Sequence, residues 1–130
     1  MTRPMDSIVH FEIPAKDVKR AQSFYQKAFA WNIQQFPGFD YYSVITTKTD
    51  QNGMPKNPGA INGGMAKKGG PLKNTVVTIR VADIPAALKK VEKLGGKTVQ
   101  KKQPVGQMGF TAYFEDPEGN IVGLWQDAGK

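Results

Sequence analysis

The sequence contains no cysteine and no apolar run of the roughly 18 residues that a membrane-spanning helix requires. The missing cysteines exclude disulfides, thiolate metal sites and cysteine nucleophiles. The first residues, MTRPMDSIV, also lack the apolar stretch and cleavage pattern of a secretory signal. We therefore expect a cytoplasmic protein without a membrane partner.

Acidic residues are fewer than basic ones, 11 against 18, which gives a net charge of +7. Such a balance can attract nucleic acid or anionic ligands. The lysines are scattered, however, and no strand combines basic and aromatic residues in the manner of an RNA-binding surface. We predict a solvated basic surface and no nucleic-acid partner.

Two stretches of the chain, residues 9–31 and 77–97, follow one pattern. Each has alternating apolar residues, then an aspartate, then an amphipathic helix. Asp83 lies 66 residues after Asp17, and the apolar positions of the two helices keep that offset. A repeat of this length predicts two similar modules of about 60 residues each.

Each module is predicted to run βαβββ. Strands are expected at 7–13, 31–36, 41–47 and 60–66 in the first module, and at 74–81, 97–103, 110–115 and 121–125 in the second. Pro14 should end the first strand, and Asp17 and Asp83 should cap the helices. Because three successive strands follow each helix, the pattern indicates an α+β fold.

We interpret residues 1–130 as a single domain. Its two modules span 7–66 and 74–127, and the glycine- and lysine-rich segment 67–73 joins them. The exposed edge strands expected in such a fold favour a homodimer.

The chain resembles the vicinal oxygen chelate superfamily, which includes glyoxalase I, extradiol dioxygenases and bleomycin-resistance proteins. The motifs that carry the resemblance are His10–Ile13, Asp17–Tyr25, Pro58–Gly64, Phe114–Asn120 and Gly123–Trp125. Within these motifs, Ile61–Gly64 and Gly123–Trp125 are similar to the lactoylglutathione lyase-related branch. The resemblance implies a glyoxalase-like domain, in which two tandem modules form a cup-shaped eight-stranded mixed sheet around a ligand or a divalent metal.

The resemblance also implies metal ligands on the first and fourth strands of each module. His10 matches the first position, but the 66-residue offset places Val76 at its counterpart. Counting seven residues from Asp116 gives Gly123, and the first-module counterpart falls near Asn62. Only His10 and Asn62 could then contribute, so we expect no metal cofactor, since a divalent site usually needs three or more protein ligands.

His10 and Glu12 share one face of the first strand because side chains alternate along it. A carboxylate beside an imidazole raises its pKa and fixes its tautomer, which suits a catalytic acid or base. The alternative is structural: His10 bonded to a neighbour in the interior, and Glu12 facing solvent.

Arg80 and Trp125 are further ligand-binding candidates, together with Asn62. Trp125 shares a strand face with Gly123 and could border the space that the glycine leaves, or belong to the core. Arg80 could bind an anion, or pair with Glu12.

The leading hypothesis is a protein that binds a small molecule in the cup with a degenerate metal site. It would sequester the molecule or use His10 in a metal-free reaction. The alternative is a metal-dependent lyase or isomerase of the glyoxalase I type, and an enzyme of this kind could also be dioxygenase-like. An interaction module with a vestigial pocket is the third possibility.

Overall fold

A computed structural model describes residues 5–129 of the chain. This part contains two helices and eight strands, in the order β1 (Ile8–Ala15), α1 (Val18–Phe29), β2 (Asn32–Gln35), β3 (Tyr42–Ile45), β4 (Gly63–Lys67), β5 (Val76–Arg80), α2 (Ile84–Lys93), β6 (Lys97–Val105), β7 (Gly109–Glu115) and β8 (Ile121–Asp127). The α+β class and the repeated βαβββ order are confirmed.

The chain divides into two compact units. The first unit is His10–Thr75, and the second begins at Val76 and includes the described residues up to Val9. The predicted single domain over 1–130, with its modules 7–66 and 74–127 and its linker 67–73, stays a prediction, and residues 1–4 and 130 lie outside the described part.

The first unit has the strand order β2-β3-β4-β1. β1 and β4 are parallel, whereas β3 pairs antiparallel with both β4 and β2. Its core consists of Ile33, Tyr42, Val44 and Met65, and the apolar face of α1 packs against this core through partly buried residues. No residue of α1 is itself fully buried.

The second unit repeats this topology with the order β5-β8-β7-β6. β5 and β8 are parallel, and β7 pairs antiparallel with both β8 and β6. The core consists of Val81, Ile84, Leu88, Ala112 and Leu124. Because α2 contributes both Ile84 and Leu88 to it, this helix is anchored more deeply than α1.

The N-terminus of one of the two helices is capped by a different side chain from the one predicted. The Asp17 carboxylate accepts a hydrogen bond from the amide of Arg20 at 3.1 Å, as expected of an N-cap. Asp83 occupies the N-cap position of α2, as predicted, but its side chain makes no capping hydrogen bond. Gln126 makes one instead, because its Oε1 accepts from the amide of Ile84 at 2.8 Å.

The first strand continues through Pro14 to Ala15, so the prediction that the proline ends it is wrong. The carbonyl of Ala15 accepts from Lys68, which follows β4. Because backbone polar groups alternate between the two sides of a strand, the missing N–H of Pro14 faces away from β4. The proline therefore costs this ladder no hydrogen bond.

No helix among residues 5–129 is both long enough and apolar enough to cross a membrane.

Candidate functional site

The first unit contains a chain of three hydrogen-bonded polar side chains. Nε2 of His10 lies 3.0 Å from the hydroxyl oxygen of Tyr41, and that hydroxyl donates to Oε2 of Glu12 at 2.9 Å. His10 and Glu12 come from β1, and Tyr41 immediately precedes β3. We call these three residues the His10 cluster. The predicted pairing of His10 with Glu12 on one strand face therefore runs through a tyrosine hydroxyl.

Burial dominates the titration of His10. It lowers the pKa of the imidazole from its ordinary value near 6.5, because a desolvated ring disfavours the charged form, and the nearby Glu12 carboxylate raises it by a smaller amount. This is opposite to the net rise expected from the carboxylate alone. Glu12 is only 8 % exposed, so the predicted alternative of a solvent-facing carboxylate is wrong. His10 is thus neutral at neutral pH and half-buried.

The strand register locates the fourth-strand position of the first unit. Glu12 lies opposite Gly64 in the β1–β4 ladder, as Thr78 lies opposite Gly123 in the β5–β8 ladder. Glu12 and Thr78 are related by the 66-residue repeat, so the counterpart of Gly123 is Gly64. Asn62, which the sequence count gave, lies two residues earlier.

Asn62 contacts the backbone between β3 and the following loop. Its Oδ1 accepts from the amides of Thr46 and Thr47 at 2.8 and 3.0 Å. The Thr46 hydroxyl in turn donates to the carbonyl of Ile61 at 2.6 Å, which holds the chain just before β4. The described contacts of Asn62 are therefore structural, and ligand binding by this residue stays a prediction.

The corresponding positions of the second unit carry no ionisable group. Val76 takes the place of His10 and is 1 % exposed, and Thr78 takes the place of Glu12. Gly123 provides no side chain. The ionisable side chains of this constellation are confined to the first unit.

Arg80 and Trp125 meet at a different carboxylate, that of Asp127. Arg80 Nη1 lies 3.5 Å from Oδ2 of Asp127, and the Trp125 indole N–H donates to Oδ1 at 2.8 Å. The pairing that the structure gives to Arg80 is thus with Asp127. An open recess of about 330 Å³, lined by Met5, Asp6, Ser7, Arg80, Val81, Ala82, Gln126 and Asp127, adjoins this pair.

That recess is not lined by any member of the His10 cluster. Arg80 and Asp127 are both well exposed, so water screens their attraction and the pair contributes little to stability. An anion entering the recess would compete with Asp127 for the guanidinium of Arg80. We consider the His10 cluster the better candidate, because its groups are desolvated and joined by hydrogen bonds.

The side chains around His10 do not provide enough ligands for a divalent metal ion. Within residues 5–129, no three or more His, Asp or Glu side chains lie close enough together to hold an ion. His10 and Glu12 are two potential metal ligands, and both side chains are already hydrogen-bonded to Tyr41. Because a protein metal site usually supplies three or more ligands, the arrangement is better suited to moving or sharing a proton.

Sequence reasoning missed Tyr41 and Asp127. Tyr41 is 31 residues from His10 and 29 from Glu12, so only the register of β1, β3 and β4 brings the three together. Its one sequence signal is indirect: Gly64 is a glycine at the position where the fourth strand would otherwise present a side chain. Asp127 lies two residues beyond Trp125, on the same face of β8.

Comparison with known proteins supports the same family. The family described as bleomycin resistance protein-like N-terminal matches residues 7–47. A glyoxylase-like domain-containing protein of Didymella fabae is 30% identical over 121 residues, which cover 92% of this chain and 92% of that protein. "Putative glyoxylase CFP32" of Mycobacterium tuberculosis is 30% identical over 120 residues, 88% of this chain. The chain spans 43% of the length of that mycobacterial relative.

A solved structure agrees on the fold. The protein from Vibrio splendidus described as a glyoxalase/bleomycin resistance protein/dioxygenase superfamily member has a TM-score of 0.58 and 15% sequence identity, covering 95% of this chain and 99% of that one. At this identity the likeness concerns the fold alone. With the relatives above, it leads to the conclusion that this chain belongs to the glyoxalase/bleomycin resistance protein/dioxygenase superfamily, the vicinal oxygen chelate group.

Proposed function

We propose that this protein binds a small organic molecule at the His10 cluster and exchanges a proton with it through His10, without a metal ion. The observation that carries the proposal is the unbroken hydrogen-bonded chain from His10 through Tyr41 to Glu12, with links of 3.0 and 2.9 Å. A histidine base whose tautomer and orientation are fixed by a hydrogen bond from one of its ring nitrogens is a recurring arrangement for proton transfer, and here the Tyr41 hydroxyl accepts that bond.

The lowered pKa of His10 suits this role. A neutral imidazole at neutral pH is ready to accept a proton, whereas a protonated one is not. When the ring accepts a proton, the positive charge develops near the Glu12 carboxylate, which stabilises it electrostatically. Burial keeps the resting state neutral and Glu12 stabilises the charged one.

The chemistry defines the class of ligand. A neutral histidine acting as a base requires a molecule with a weakly acidic proton, such as an enolisable carbonyl compound or a phenol. The net charge of +7 favours approach of a neutral or anionic molecule over a cationic one. Small enolisable 2-oxo acids meet both conditions.

Deuterium exchange tests the proposal directly. Purified protein in D2O is mixed with a panel of enolisable 2-oxo acids and 1,3-dicarbonyl compounds. Proton NMR then follows the loss of the signal from the protons on the carbon next to the ketone. The wild-type protein should accelerate exchange for at least one compound, and His10→Gln should abolish the acceleration. Lys101→Gln, a surface change in the second unit, serves as the matched control and should exchange at the wild-type rate.

Two results would contradict the proposal. One is exchange or binding that persists unchanged in His10→Gln. The other is activity that requires added divalent metal, which would favour the glyoxalase I type of lyase or isomerase instead.

The homodimer is part of the same proposal. Phe24 and Phe29 of α1 are 58 % and 59 % exposed and lie next to Tyr25 and Trp31, so they form an apolar aromatic surface on the first unit. A second copy of the chain would bury such a surface. Light scattering should give twice the monomer mass, and Phe24→Ser should shift the population toward the monomer.

A further inference from the structure

The space next to Gly64 is occupied by the side chain of Tyr41, the residue immediately before β3. A Cβ built on Gly64 would overlap the hydroxyl oxygen of Tyr41, and the ring atoms next to it would also clash. The Tyr41 hydroxyl therefore fills the volume into which a side chain at position 64 would project. Gly64 is the fourth-strand residue opposite Glu12, so this volume directly adjoins the His10 cluster.

In the second unit, too, a hydroxyl group lies over the fourth-strand glycine, but its surroundings are different. A Cβ on Gly123 would lie 2.7 Å from Oγ1 of Thr78, the residue opposite it in the β5–β8 ladder. In both units a hydroxyl group fills the space over the fourth-strand glycine. Only the hydroxyl in the first unit, that of Tyr41, lies between two ionisable side chains.

The number of hydrogens available to the three side chains of the His10 cluster determines the tautomer of His10. A tyrosine hydroxyl has one hydrogen, which Tyr41 donates to Glu12, and an ionised carboxylate has none to return. The bond between Tyr41 and His10 must therefore use a hydrogen carried on Nε2 of the imidazole. In the neutral ring this leaves Nδ1 as the basic nitrogen.

We infer that Tyr41, seated over Gly64, is a positioning residue that holds His10 in its Nε2–H form, so that Nδ1 is the atom that accepts a proton. This rests on the proposed function only for the identity of the donor, since the tautomer exists without any ligand. On proton transfer, Nδ1 gains a hydrogen and the ring becomes an imidazolium. Its Nε2–H remains bonded to the Tyr41 oxygen, whose own hydrogen stays directed at Glu12.

The inference can be tested by nitrogen-15 NMR, because the chain has a single histidine and its two ring nitrogens give unambiguous signals in a protein without a histidine tag. In the wild-type protein above the His10 pKa, Nε2 should show the shift of a protonated nitrogen and Nδ1 that of an unprotonated one. Tyr41→Phe removes the acceptor and should convert this single form into a mixture of tautomers.

Gly64→Ala should produce the same spectral change, because the added methyl overlaps the Tyr41 hydroxyl and the adjoining ring atoms, so the whole side chain must move away from His10. Gly123→Ala is the matched control in the second unit, and the His10 spectrum should not change. Should Gly64→Ala fail to fold, Tyr41→Phe still decides the matter, since it retains the ring.

The inference is overturned if Nδ1 carries the hydrogen in the wild-type protein, or if Tyr41→Phe leaves the tautomer unchanged. Neither result depends on finding a ligand. A failed deuterium-exchange assay with an intact Nε2–H signal would reject the proposed function alone.

Discussion

The two units of this protein have the same topology and different contents at corresponding positions. The first unit has His10 and Glu12 where the second has Val76 and Thr78. The fourth strand of each unit has a glycine at the matching position. In the second unit these positions are buried packing residues without charge. The duplicated fold therefore does not duplicate the site: we assign the chemistry to the first unit.

The helices of the two units differ in how deeply their apolar side chains are buried. α2 buries Ile84 and Leu88 completely or nearly so, whereas α1 buries no residue fully and leaves Phe24 and Phe29 more than half exposed. Burial of apolar side chains is the main favourable contribution to folding. We therefore expect the second unit to depend more on its helix for stability than the first.

Truncating a helix side chain in each unit should give the largest contrast. Leu88→Ala removes a nearly fully buried side chain of α2 and should lower the free energy of unfolding by about 2–5 kcal/mol. Phe24→Ala in α1 should lower it by about 1 kcal/mol or less at protein concentrations where the chain is monomeric, because that ring is 58 % exposed in the single chain. Urea denaturation of both variants measures the difference, and equal losses would contradict the contrast.

Adding a methyl group to each fourth-strand glycine gives the next largest contrast. Gly64→Ala forces the Tyr41 ring to move and should cost about 1–3 kcal/mol of unfolding free energy, as overpacking does. Gly123→Ala would place its methyl group 2.7 Å from the Thr78 hydroxyl, with two other Thr78 atoms at an ordinary 3.5 Å, and should cost less. The comparison requires denaturation curves with equal slopes, and a costlier Gly123→Ala would refute the account of Tyr41.

The two helix ends should respond oppositely to one substitution. Ala30 closes α1 with φ of +62°, a conformation that glycine adopts without strain, so Ala30→Gly should stabilise the protein by about 0.5–1 kcal/mol. Gly95 follows α2 with φ of +105°, and Gly95→Ala should destabilise it by about 1 kcal/mol. Thermal melting of the two variants should show shifts of opposite sign.

The smallest effect concerns pH and His10. Because burial lowers the pKa of His10, the unfolded chain binds a proton before the folded one does as the pH falls below about 6.5. The wild-type protein should therefore lose stability in that range relative to His10→Gln, and the difference in stability between the two proteins should not change with pH above about 7. Urea denaturation at pH 7.5 and pH 5 tests this, and a wild-type protein that gains relative stability at pH 5 would reverse the assigned shift.

The sequence pattern was sufficient to predict the elements and their order, because the 66-residue offset relates both first strands and both helices. It was insufficient at the fourth strand. The offset between Glu12 and Thr78 is 66, but that between Gly64 and Gly123 is 59, so the first unit carries seven additional residues before β4. The 66-residue offset applied to Gly123 would therefore give Asn57, so the offset does not locate the fourth strand of the first unit, and the predicted position, Asn62, lay two residues before Gly64.

The contacts of the site were harder to predict than its strands. His10 and Glu12 share a face by simple alternation, which the sequence reveals. Tyr41 joins them only through long-range strand pairing, and Asp127 engages Arg80 across 47 residues. The order of the pKa effects on His10 also required coordinates, because burial and the Glu12 carboxylate act in opposite directions.

Metal binding by the first unit is the most direct test of the central claim that His10 works through protons. Metal-stripped protein is dialysed against zinc, nickel or manganese, washed, and measured by elemental analysis alongside His10→Gln. We predict well under one ion per chain in the wild-type protein and no further loss in the variant. One tightly bound ion per chain that disappears in His10→Gln would contradict the account.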